Sequence, residues 1–562
     1  CSMDPVQLAF DDRAVHDHTT ASLLRSRAEL FGDDPFLHYV HDGSTRSFSD
    51  VKATANTIAN ALAQLGVERG EKVSTMIDNQ LHATLSMFGI QKGGMVYAPI
   101  NYEFEGETLS YQISDIDPGV LLIEDQFNGK LNDIKGAFDE LPRVVIIETD
   151  EETEPLDEAF ETSGFQSLLD APEAEPGVSP SWHDDAAIIY TSGTTGHPKG
   201  VLVPYRWIAY YSAVRWQVMS RDDVVHTSLT LYHGAGPFWD IAAALITGAE
   251  VALWDQYSPS RFLDRVNEYE ATTVTLISVM HTWLHDQPER ADDHRNPLNK
   301  VQMSPLPEYH EEMAERFSFD FITSKFGQQE SGNPLTGFIN AARGAHATPE
   351  DIRRGFSPAE ITTRAEEMGI PVVEEVPEER WIGSEMPWME VQVVDEHDEA
   401  LPPGEIGEMA VRPKLPGVTF KHYYNRPEKT VEEFRNLWFH VGDAVYRDEE
   451  GNFFFVDRIG HIIRKRGENI SPEQIEHIAK GYDPIDEIAV FPIPGEDVED
   501  EIAYVIRPRD GTDLDEDALF EFLDGELADI MLPDRVVFTD DIPMTDTNKI
   551  QKNELRDRLF GA

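Results

Sequence analysis

The chain has 562 residues, of which 40% are hydrophobic, so it is long enough for two or more domains. Its 104 acidic residues outnumber 46 basic ones, and the net charge of −58 excludes the basic surface that nucleic acids require. The acidic excess runs along the whole chain, which predicts a halophilic protein whose self-repulsion is screened by salt. A single cysteine rules out an intramolecular disulfide and fits a cytoplasmic location. No apolar run is long enough to predict stable membrane insertion.

The first hundred residues alternate helical and strand patterns. A helix is predicted to open near Phe48 with Ser49 as its cap, and Lys72–Ile77 and Met95–Pro99 are typical of strands on either side of a further helix. This order predicts an α/β fold in which a large N-terminal domain has doubly wound, mostly parallel sheets. The acidic, Pro- and Ser-rich residues 148–185 are predicted to form an exposed connector.

The connector leads to an unusually Gly- and Thr-rich segment, Tyr190-Thr-Ser-Gly-Thr-Thr-Gly-His-Pro-Lys-Gly200, which follows an apolar run typical of a buried strand. Glycines allow the backbone to approach a ligand closely, and free N–H groups with hydroxyls form a nest for anionic oxygens. Lys199 adds a compact positive charge. The segment predicts a phosphate-binding loop rather than an ordinary polar surface loop, although its spacing is not that of G-x-x-x-x-G-K-[ST].

These eleven residues resemble the signature of the adenylate-forming superfamily, which includes acyl-CoA synthetases, firefly-type luciferases and the adenylation domains of peptide synthetases. The resemblance implies that the loop binds the phosphates of ATP. The residues it assigns to this role are Thr191, Ser192, Gly193, Thr194, Thr195, Gly196 and Lys199.

His233 ends an apolar strand-like run and precedes a Gly-rich turn. In the family, an aromatic residue or histidine at this point closes the acyl pocket and gates the thiol channel, so the resemblance implies a catalytic role for His233; a purely structural histidine is the alternative. Gly234 stands where relatives that activate amino acids carry an Asp. Its presence disfavours an amino-acid substrate.

The segment Phe326-Gly-Gln-Gln-Glu330 resembles the family's Tyr-Gly-x-Thr-Glu. The resemblance implies that Phe326 stacks on adenine, that Gln329 meets the α-phosphate, and that Glu330 binds Mg²⁺, with Thr191 as a further ligand. Two stretches depart from the family. The turn Met303–Pro307 replaces its Gly-Gly-Ala-Pro, and residues 340–380 form a polar insertion.

The insertion carries its own helix signal. Ser357-Pro-Ala-Glu360 has the form of a capping box with proline in the first turn, and Gly369 is the predicted stop. The sequence does not decide whether this insertion covers the acyl pocket or only decorates the surface.

The C-terminal part carries the remaining motifs. Asp443 is implied to bind the ribose, Arg458 the ribose or a phosphate, and Gly460 to act as the hinge. The predicted domains are therefore 1–457, which binds ATP and the acyl group, and 458–562, a small mobile α+β domain.

The segment Arg466-Gly-Glu-Asn-Ile-Ser-Pro472 resembles carnitine-type acyl-CoA ligases and places Gly467 at the CoA channel. Lys549, in a segment similar to the family's Pro-x-Thr-x-x-Gly-Lys-x-x-Lys, is implied to be the catalytic lysine.

The resemblance implies an AMP-forming acyl-CoA ligase that uses ATP, Mg²⁺ and coenzyme A to activate a small-molecule carboxylic acid, with a role in fatty acid metabolism. Two alternatives remain open: an enzyme that loads a carrier protein, and a non-catalytic nucleotide-binding relative. The identity of the acid is not readable, and a homodimer is not excluded.

Overall fold

The computed structural model describes residues 19–150, 153–191, 198–277, 279–342, 347–459, 463–465, 468–470, 472–494, 500–509, 511–512, 514–523, 527, 531–545 and 550–561. Within these ranges, residues up to 390 together with 412–433 belong to one compact unit, and residues 391–411 with those from 434 onward belong to a second. The second unit includes residues on both sides of 457, and the predicted boundary between 457 and 458 stays a prediction.

The first unit contains an eight-stranded sheet that carries the two ends of the predicted phosphate loop. Its strands are β3 (Lys72–Met76), β4 (Val96–Pro99), β5 (Val120–Glu124), β6 (Arg143–Ile147), β7 (Thr162–Gly164), β8 (Asp185–Thr191), β9 (Lys199–Pro204) and β20 (His422–Tyr423). Their order is β20-β9-β8-β4-β3-β5-β6-β7. All neighbours are parallel except at the β20–β9–β8 end, where the pairs are antiparallel.

The other sheet of the first unit carries the second group of predicted site residues. Its strands are β1 (Pro35–Tyr39), β2 (Ser44–Ser47), β10 (Val224–Thr227), β11 (Glu250–Leu253), β12 (Thr273–Ile277), β13 (Lys300–Ser304), β14 (Phe321–Gln328), β15 (Gly332–Asn340), β16 (Val372–Val373) and β17 (Trp381–Glu385). The order is β17-β15-β14-β13-β12-β10-β11-β1-β2, with β16 beside β15. The run from β1 to β14 is parallel, and β14–β15 is an antiparallel hairpin.

Helices connect these strands in the order expected of a doubly wound fold. Those of the first unit are α1 (Thr20–Phe31), α2 (Phe48–Gln64), α3 (Gln80–Lys92), α4 (Gly106–Ile116), α5 (Asn128–Ile134), α6 (Phe165–Leu168), α7 (Tyr205–Tyr211), α8 (Ala213–Gln217), α9 (Ala242–Thr247), α10 (Phe262–Glu268), α11 (Val279–His285), α12 (His310–Phe317), α13 (Pro358–Met368) and α14 (Pro427–Glu433). A π-helix, Ala235–Ile241, follows β10. The α/β, mostly parallel prediction is confirmed.

Two capping predictions had different outcomes. The prediction that Ser49 caps α2 is wrong: Ser47 is the N-cap and forms a reciprocal capping box with Asp50, so the helix starts at Phe48. The prediction for the insertion is confirmed, because Ser357 caps α13 through Glu360 and Gly369 ends it in the left-handed conformation. The connector contains β7, α6 and the first residue of β8, and its other described residues are irregular.

The second unit is α+β. Its strands are β18 (Met389–Val394, whose first two residues belong to the first unit), β19 (Gly407–Pro413, whose last two do), β21 (Phe434–Arg435), β22 (Trp438–Arg447), β23 (Asn452–Arg458), β24 (Ile463–Lys465), β25 (Glu468–Ile470), β26 (Ile485–Pro494), β27 (Asp500–Pro508) and β28 (Arg535–Phe538). Strands β26, β27 and β28 form a three-stranded sheet. Its helices are α15 (Pro472–Lys480), α16 (Glu516–Leu523) and α17 (Lys552–Phe560).

Each unit has its own hydrophobic core. In the first, the inward side chains of β3, β5 and β8, such as Met76, Ile123 and Ile188, pack with α4 and α5. In the second, Ile475 of α15 and Leu519 of α16 pack on β26 and β27. In the part of the chain that is described, no helix has the length and apolarity needed to cross a membrane.

Candidate active site

The two ends of the predicted phosphate loop are held together by the β8–β9 hairpin. Thr191, the last residue of β8, lies directly opposite Lys199, the first residue of β9. The Thr191 hydroxyl lies 3.5 Å from the carbonyl oxygen of Lys199, to which it donates. The predicted buried strand before the loop is confirmed, since Ala186–Tyr190 is buried throughout. Ser192, Gly193, Thr194, Thr195 and Gly196 lie outside the described residues.

Tyr423 connects Lys199 to Glu330. The Lys199 ammonium lies 3.4 Å from the Tyr423 hydroxyl and 4.4 Å from the centre of its ring. The same hydroxyl donates to Glu330 Oε1 at 2.9 Å. Two residues assigned from separate motifs are thus brought to one place, because β20 pairs with β9 and places Tyr423 opposite Val201.

Glu330 is a buried carboxylate, 7% exposed, at the turn between β14 and β15. Burial raises its pKa, while the hydrogen bond from Tyr423 and the positive charge of Lys199 oppose that rise. Burial and the neighbouring Glu330 charge raise the pKa of Tyr423, so its hydroxyl keeps its proton and remains a donor. The carboxylate is therefore held beside a cation and a fixed donor.

The Gly234 backbone lies against the side chain of Gln329. A Cβ added at Gly234 would come within 2.4 Å of the Gln329 Oε1 atom, so the space that an Asp would need there is filled by this amide. The Oε1 atom itself is buried and accepts no hydrogen bond from any residue that the structure describes. This oxygen can only accept a hydrogen bond and does not pair with a phosphate oxygen, so the predicted contact with the α-phosphate would use the NH2 group of the Gln329 amide, which donates.

His233 lies beside Tyr232, whose ring centre is 4.6 Å away, and precedes the π-helix. The strand and the Gly-rich turn predicted around it are wrong: β10 ends at Thr227, and residues from Ala235 continue as the π-helix. Gly236 is tightly enclosed, because a Cβ there would meet the Leu229 carbonyl oxygen at 2.8 Å. π-Helical turns occur often at functional sites.

Phe326 lies on β14 opposite Leu335 and is partly exposed, so an aromatic face is present where adenine stacking is predicted. The residue before it, Lys325, is near enough to buried Arg215 and Asp240, which the motifs do not include, for their charges to affect its pKa. The Arg215 Nη2 atom lies 3.1 Å from Asp240 Oδ1, and Arg215 and Asp240 are 4% and 0% exposed. We call these three residues the Arg215–Asp240–Lys325 cluster.

The second unit contains the predicted ribose-binding pair. Asp443 and Arg458 are opposite each other on β22 and β23, and Arg458 Nε lies 3.8 Å from Asp443 Oδ1. Asp443 lies inside β22, with residues of the strand on both sides. Asp443 is buried and Arg458 exposed. Gly460, Gly467 and Lys549 lie outside the described residues, so their roles stay predictions.

The oxygen atoms of Glu330 and Thr191 suit Mg²⁺ bound together with a nucleotide better than a metal ion whose ligands all come from the protein. Within the described ranges no group of three or more His, Cys, Asp or Glu residues could hold a metal ion. Mg²⁺ bound to nucleotides commonly takes one or two protein oxygens and completes its shell with phosphates and water. The Glu330 carboxylate and the Thr191 hydroxyl are oxygen donors of this kind.

Tyr423 and the Arg215–Asp240–Lys325 cluster are the residues around the candidate site that motif reasoning missed. Tyr423 is far from Lys199 and Glu330 in sequence, and no local pattern distinguishes it. Arg215 and Asp240 do carry a signal, since each is a lone charge in an apolar run, Ala213-Val-Arg-Trp216 and Phe238-Trp-Asp-Ile241. A charge in such a run is expected to be buried and paired.

Comparisons with known proteins identify the class. A family model described as AMP-binding enzyme matches residues 24–424, and one described as AMP-binding enzyme C-terminal domain matches residues 474–549. The chain belongs to the AMP-binding enzyme family, which confirms the resemblance to adenylate-forming enzymes.

Among curated relatives, the crotonobetaine/carnitine–CoA ligase of Salmonella paratyphi A is 29% identical over 544 residues, covering 94% of this chain and 97% of the relative. The ligase of the same name from Escherichia coli O17:K52:H18 is 29% identical over 559 residues, covering 97% and 98%. These relatives and the family together confirm the predicted enzyme class, an acyl-CoA synthetase.

Solved structures confirm the fold. ATP-bound MatB from Rhodopseudomonas palustris aligns with a TM-score of 0.77 at 24% identity and covers 96% of this chain and 98% of that one. The o-succinylbenzoate CoA synthetase of Bacillus subtilis with its acyl-adenylate aligns with a TM-score of 0.75 at 20% identity and covers 96% and 98%. At these identities the likeness is one of architecture.

Proposed function

We propose that the protein is an ATP-dependent, AMP-forming ligase that activates a carboxylic acid as an acyl-adenylate and transfers the acyl group to coenzyme A. The observation that carries the proposal is the Lys199–Tyr423–Glu330 contact at the ends of the phosphate loop. It places a cation, a fixed donor and a buried carboxylate where the phosphates of ATP are predicted to bind.

In the first half-reaction, a carboxylate oxygen attacks the α-phosphorus of ATP and pyrophosphate leaves, which gives the mixed anhydride. Because the reacting groups are all anionic, the site must supply positive charge and hydrogen-bond donors. Lys199 supplies charge at the loop, and Lys549 is proposed to bridge the carboxylate and the α-phosphate. The Gln329 amide is proposed to donate to the α-phosphate.

Mg²⁺, held by Glu330 and Thr191, would neutralise the charge of the pyrophosphate leaving group. The buried position of Glu330 favours this, because burial raises its pKa beyond what Tyr423 and Lys199 offset, and a bound cation would keep the carboxylate ionised. Asp443 is proposed to bind the ribose hydroxyls, with Arg458 as its partner.

In the second half-reaction, the thiol of coenzyme A attacks the acyl carbon, and AMP leaves with the electron pair of the anhydride bond. We propose that residues 458–562 rotate between the two steps about Gly460, which removes Lys549 and brings the segment with Gly467 to the thiol channel. His233, in the segment beside Gln329, is proposed to gate that channel.

The test is ATP–pyrophosphate exchange with a panel of carboxylic acids, followed by thioester formation with coenzyme A or with a carrier protein bearing a phosphopantetheine thiol. Acid-dependent exchange and acyl-CoA as the product would support the proposal. Exchange without transfer to coenzyme A would contradict the acceptor, and the absence of exchange with every acid would contradict the reaction. The quaternary ammonium acids in the names of the relatives belong in this panel.

A further inference from the structure

The Arg215–Asp240–Lys325 cluster shares its chain segments with the candidate active site. Asp240 lies in the π-helix that begins two residues after His233, and Lys325 immediately precedes Phe326 on β14. The same two segments meet where Gln329 packs against Gly234. Neighbouring strand residues point to opposite faces, so Lys325 points away from the face that carries the predicted adenine-stacking ring. The cluster therefore lies on the face of β14 opposite the predicted adenine-stacking ring, and it includes Asp240 of the π-helix that follows His233, the residue that the family resemblance assigns to the acyl pocket.

The charges of the cluster do not balance. Asp240 is paired with Arg215 and accepts a hydrogen bond from Thr275 at 2.9 Å, and Arg215 donates to the same hydroxyl at 3.2 Å. One carboxylate thus faces two cationic side chains. The Arg215 Nε and Nη2 atoms and the Asp240 Oδ2 atom are buried and have no hydrogen-bond partner in the described part of the chain, so unpaired donors and an unpaired acceptor occur together in the cluster. A surplus of buried positive charge is costly unless an anion compensates it.

Lys325 is the least enclosed member of the cluster. Arg215 and Asp240 are almost wholly enclosed, whereas Lys325 remains partly exposed. Its ammonium donates to Asn333 Oδ1 at 2.8 Å, and Asn333 is fixed in turn by donating to the Tyr211 carbonyl oxygen at 2.5 Å. An ammonium has three N–H donors, and among the described residues this is its one hydrogen bond. Two donors remain for a ligand.

The aromatic faces beside Lys325 are already used by its own charge. The ammonium lies 4.2 Å from the ring centre of Trp239 and 5.2 Å from that of Tyr211. A cationic group of a substrate would have to displace Lys325 from these rings or lie beside it and Arg215, and like charges at such distances repel. The cluster disfavours a substrate that carries a quaternary ammonium group.

We propose, on the basis of the proposed function, that the acid activated by this enzyme carries a second anionic group and that the Lys325 ammonium binds it. A dicarboxylic acid is the simplest member of this class. Its distal carboxylate would form a charge-assisted hydrogen bond with Lys325 and balance the cluster at two positive and two negative charges. Arg215 positions Asp240 rather than contacting the substrate. Burial lowers the pKa of Lys325 to about 7.

The experiment compares three acids by ATP–pyrophosphate exchange: succinate, its monomethyl ester, whose distal group is uncharged, and 4-trimethylammoniobutyrate, whose distal group is cationic. We expect kcat/KM for succinate, or for glutarate if the pocket is longer, to exceed that for the other two by about 10- to 100-fold, the value of one charged hydrogen bond. A preference for the betaine or for the ester over both dicarboxylic acids would overturn the proposal. Exchange with other acids of the panel but with neither dicarboxylic acid would also overturn it, whereas exchange with no acid of the whole panel would overturn the proposed function.

The matched variant is Lys325→Met, which keeps the chain length and removes the charge. The ratio of kcat/KM for the dicarboxylic acid to that for the ester should fall by about 10- to 100-fold, while kcat/KM for the ester stays within a few fold of the wild-type value. Lys480→Met, on an exposed lysine of α15, is the control for the substitution type. If Lys325→Met does not fold, as judged by thermal unfolding, Lys325→Arg and Lys325→Gln provide the same contrast with and without charge. An unchanged ratio in a folded uncharged variant would show that the lysine is structural and would overturn the proposal.

Discussion

The first unit contains two charged sites that are built differently, although one residue of each, Lys325 and Glu330, lies on β14 or in the turn after it. At Lys199–Tyr423–Glu330, one carboxylate faces one cation and one neutral donor. Because Glu330 has these partners, burying its charge costs less free energy than burying an unpaired carboxylate. In the Arg215–Asp240–Lys325 cluster, two cations face one carboxylate. The first site is predicted to bind ATP, which is the same for every acid that the enzyme could activate. The second is unbalanced, and it is the one that can distinguish between acids.

The largest expected effect is that of Lys549→Ala, which tests whether the predicted catalytic lysine belongs with the nucleotide site. Loss of a charge that stabilises the transition state should lower acyl-adenylate formation by about 100- to 1,000-fold, to the same extent for every acid. Thioester formation from pre-made acyl-AMP should change little. The two half-reactions are measured separately, with the exposed Lys480→Ala as the control. An equal loss in both half-reactions would contradict the assignment.

A smaller effect is expected from Tyr423→Phe, which removes one hydroxyl from the balanced site. The change leaves a buried oxygen of Glu330 without its donor and separates that carboxylate from Lys199. We expect kcat/KM to fall by about 10-fold, again equally for all acids, because the hydroxyl serves the nucleotide. Tyr424→Phe, at the neighbouring tyrosine, is the matched control. A loss that depends on the acid would show that the two sites are not separable.

The contrast between the two sites also explains what could be predicted from sequence. The loop ends, Glu330, Gln329 and Asp443 lie in short motifs with fixed spacing, and the structure places the first three in the same unit. The parallel sheets followed from alternating apolar patterns. Ser49 was assigned in place of Ser47 because both hydroxyls suit a cap, and the reciprocal bond with Asp50 decides between them.

The residues that were missed depend on long-range pairing. Tyr423 meets Glu330 and Lys199 because β20 pairs with β9, and a two-residue strand leaves almost no pattern in the sequence. Lys325 lies over the ring of Trp239 because the segment Ala235–Ile241 is a π-helix. The sequence predicts a Gly-rich turn in this region. Its periodicity matches neither an α-helix nor a strand, so the direction of Asp240 could not be assigned.

The unbalanced site predicts a pH dependence that the balanced site does not share. Burial lowers the pKa of Lys325 to about 7, the charge of Asp240 opposes this and that of Arg215 adds to it. Tyr211, which also faces the ammonium, has a raised pKa and stays neutral. Lys325 is therefore charged below pH 7 and loses its proton as the pH rises beyond it.

The preference for succinate over its monomethyl ester, as a ratio of kcat/KM, should accordingly fall by about 10-fold between pH 6 and 8.5, because kcat/KM reports the ionisation of the free enzyme. Taking the ratio cancels ionisations that act on both acids. Lys325→Arg, which keeps its charge over this range, should make the ratio flat. A wild-type ratio that is flat as well would contradict the role of this ammonium.

The smallest effect on the ratio between acids is expected from salt, although salt should act strongly on stability. With a net charge of −58, the folded chain repels itself in dilute buffer, so thermal unfolding should shift upward in molar KCl. Arg215 and Asp240 are shielded from the solvent, and Lys325 is largely shielded. The succinate-to-ester ratio should therefore change by less than about threefold over the same range.

The comparison uses one preparation, and KCl is set against an equal osmolality of sucrose to separate charge screening from exclusion of the solute from the protein surface. Stability that is unchanged by KCl would contradict the halophilic prediction. A ratio that collapses with salt would instead show that Lys325 lies in open solvent, where a distal carboxylate gains little from it.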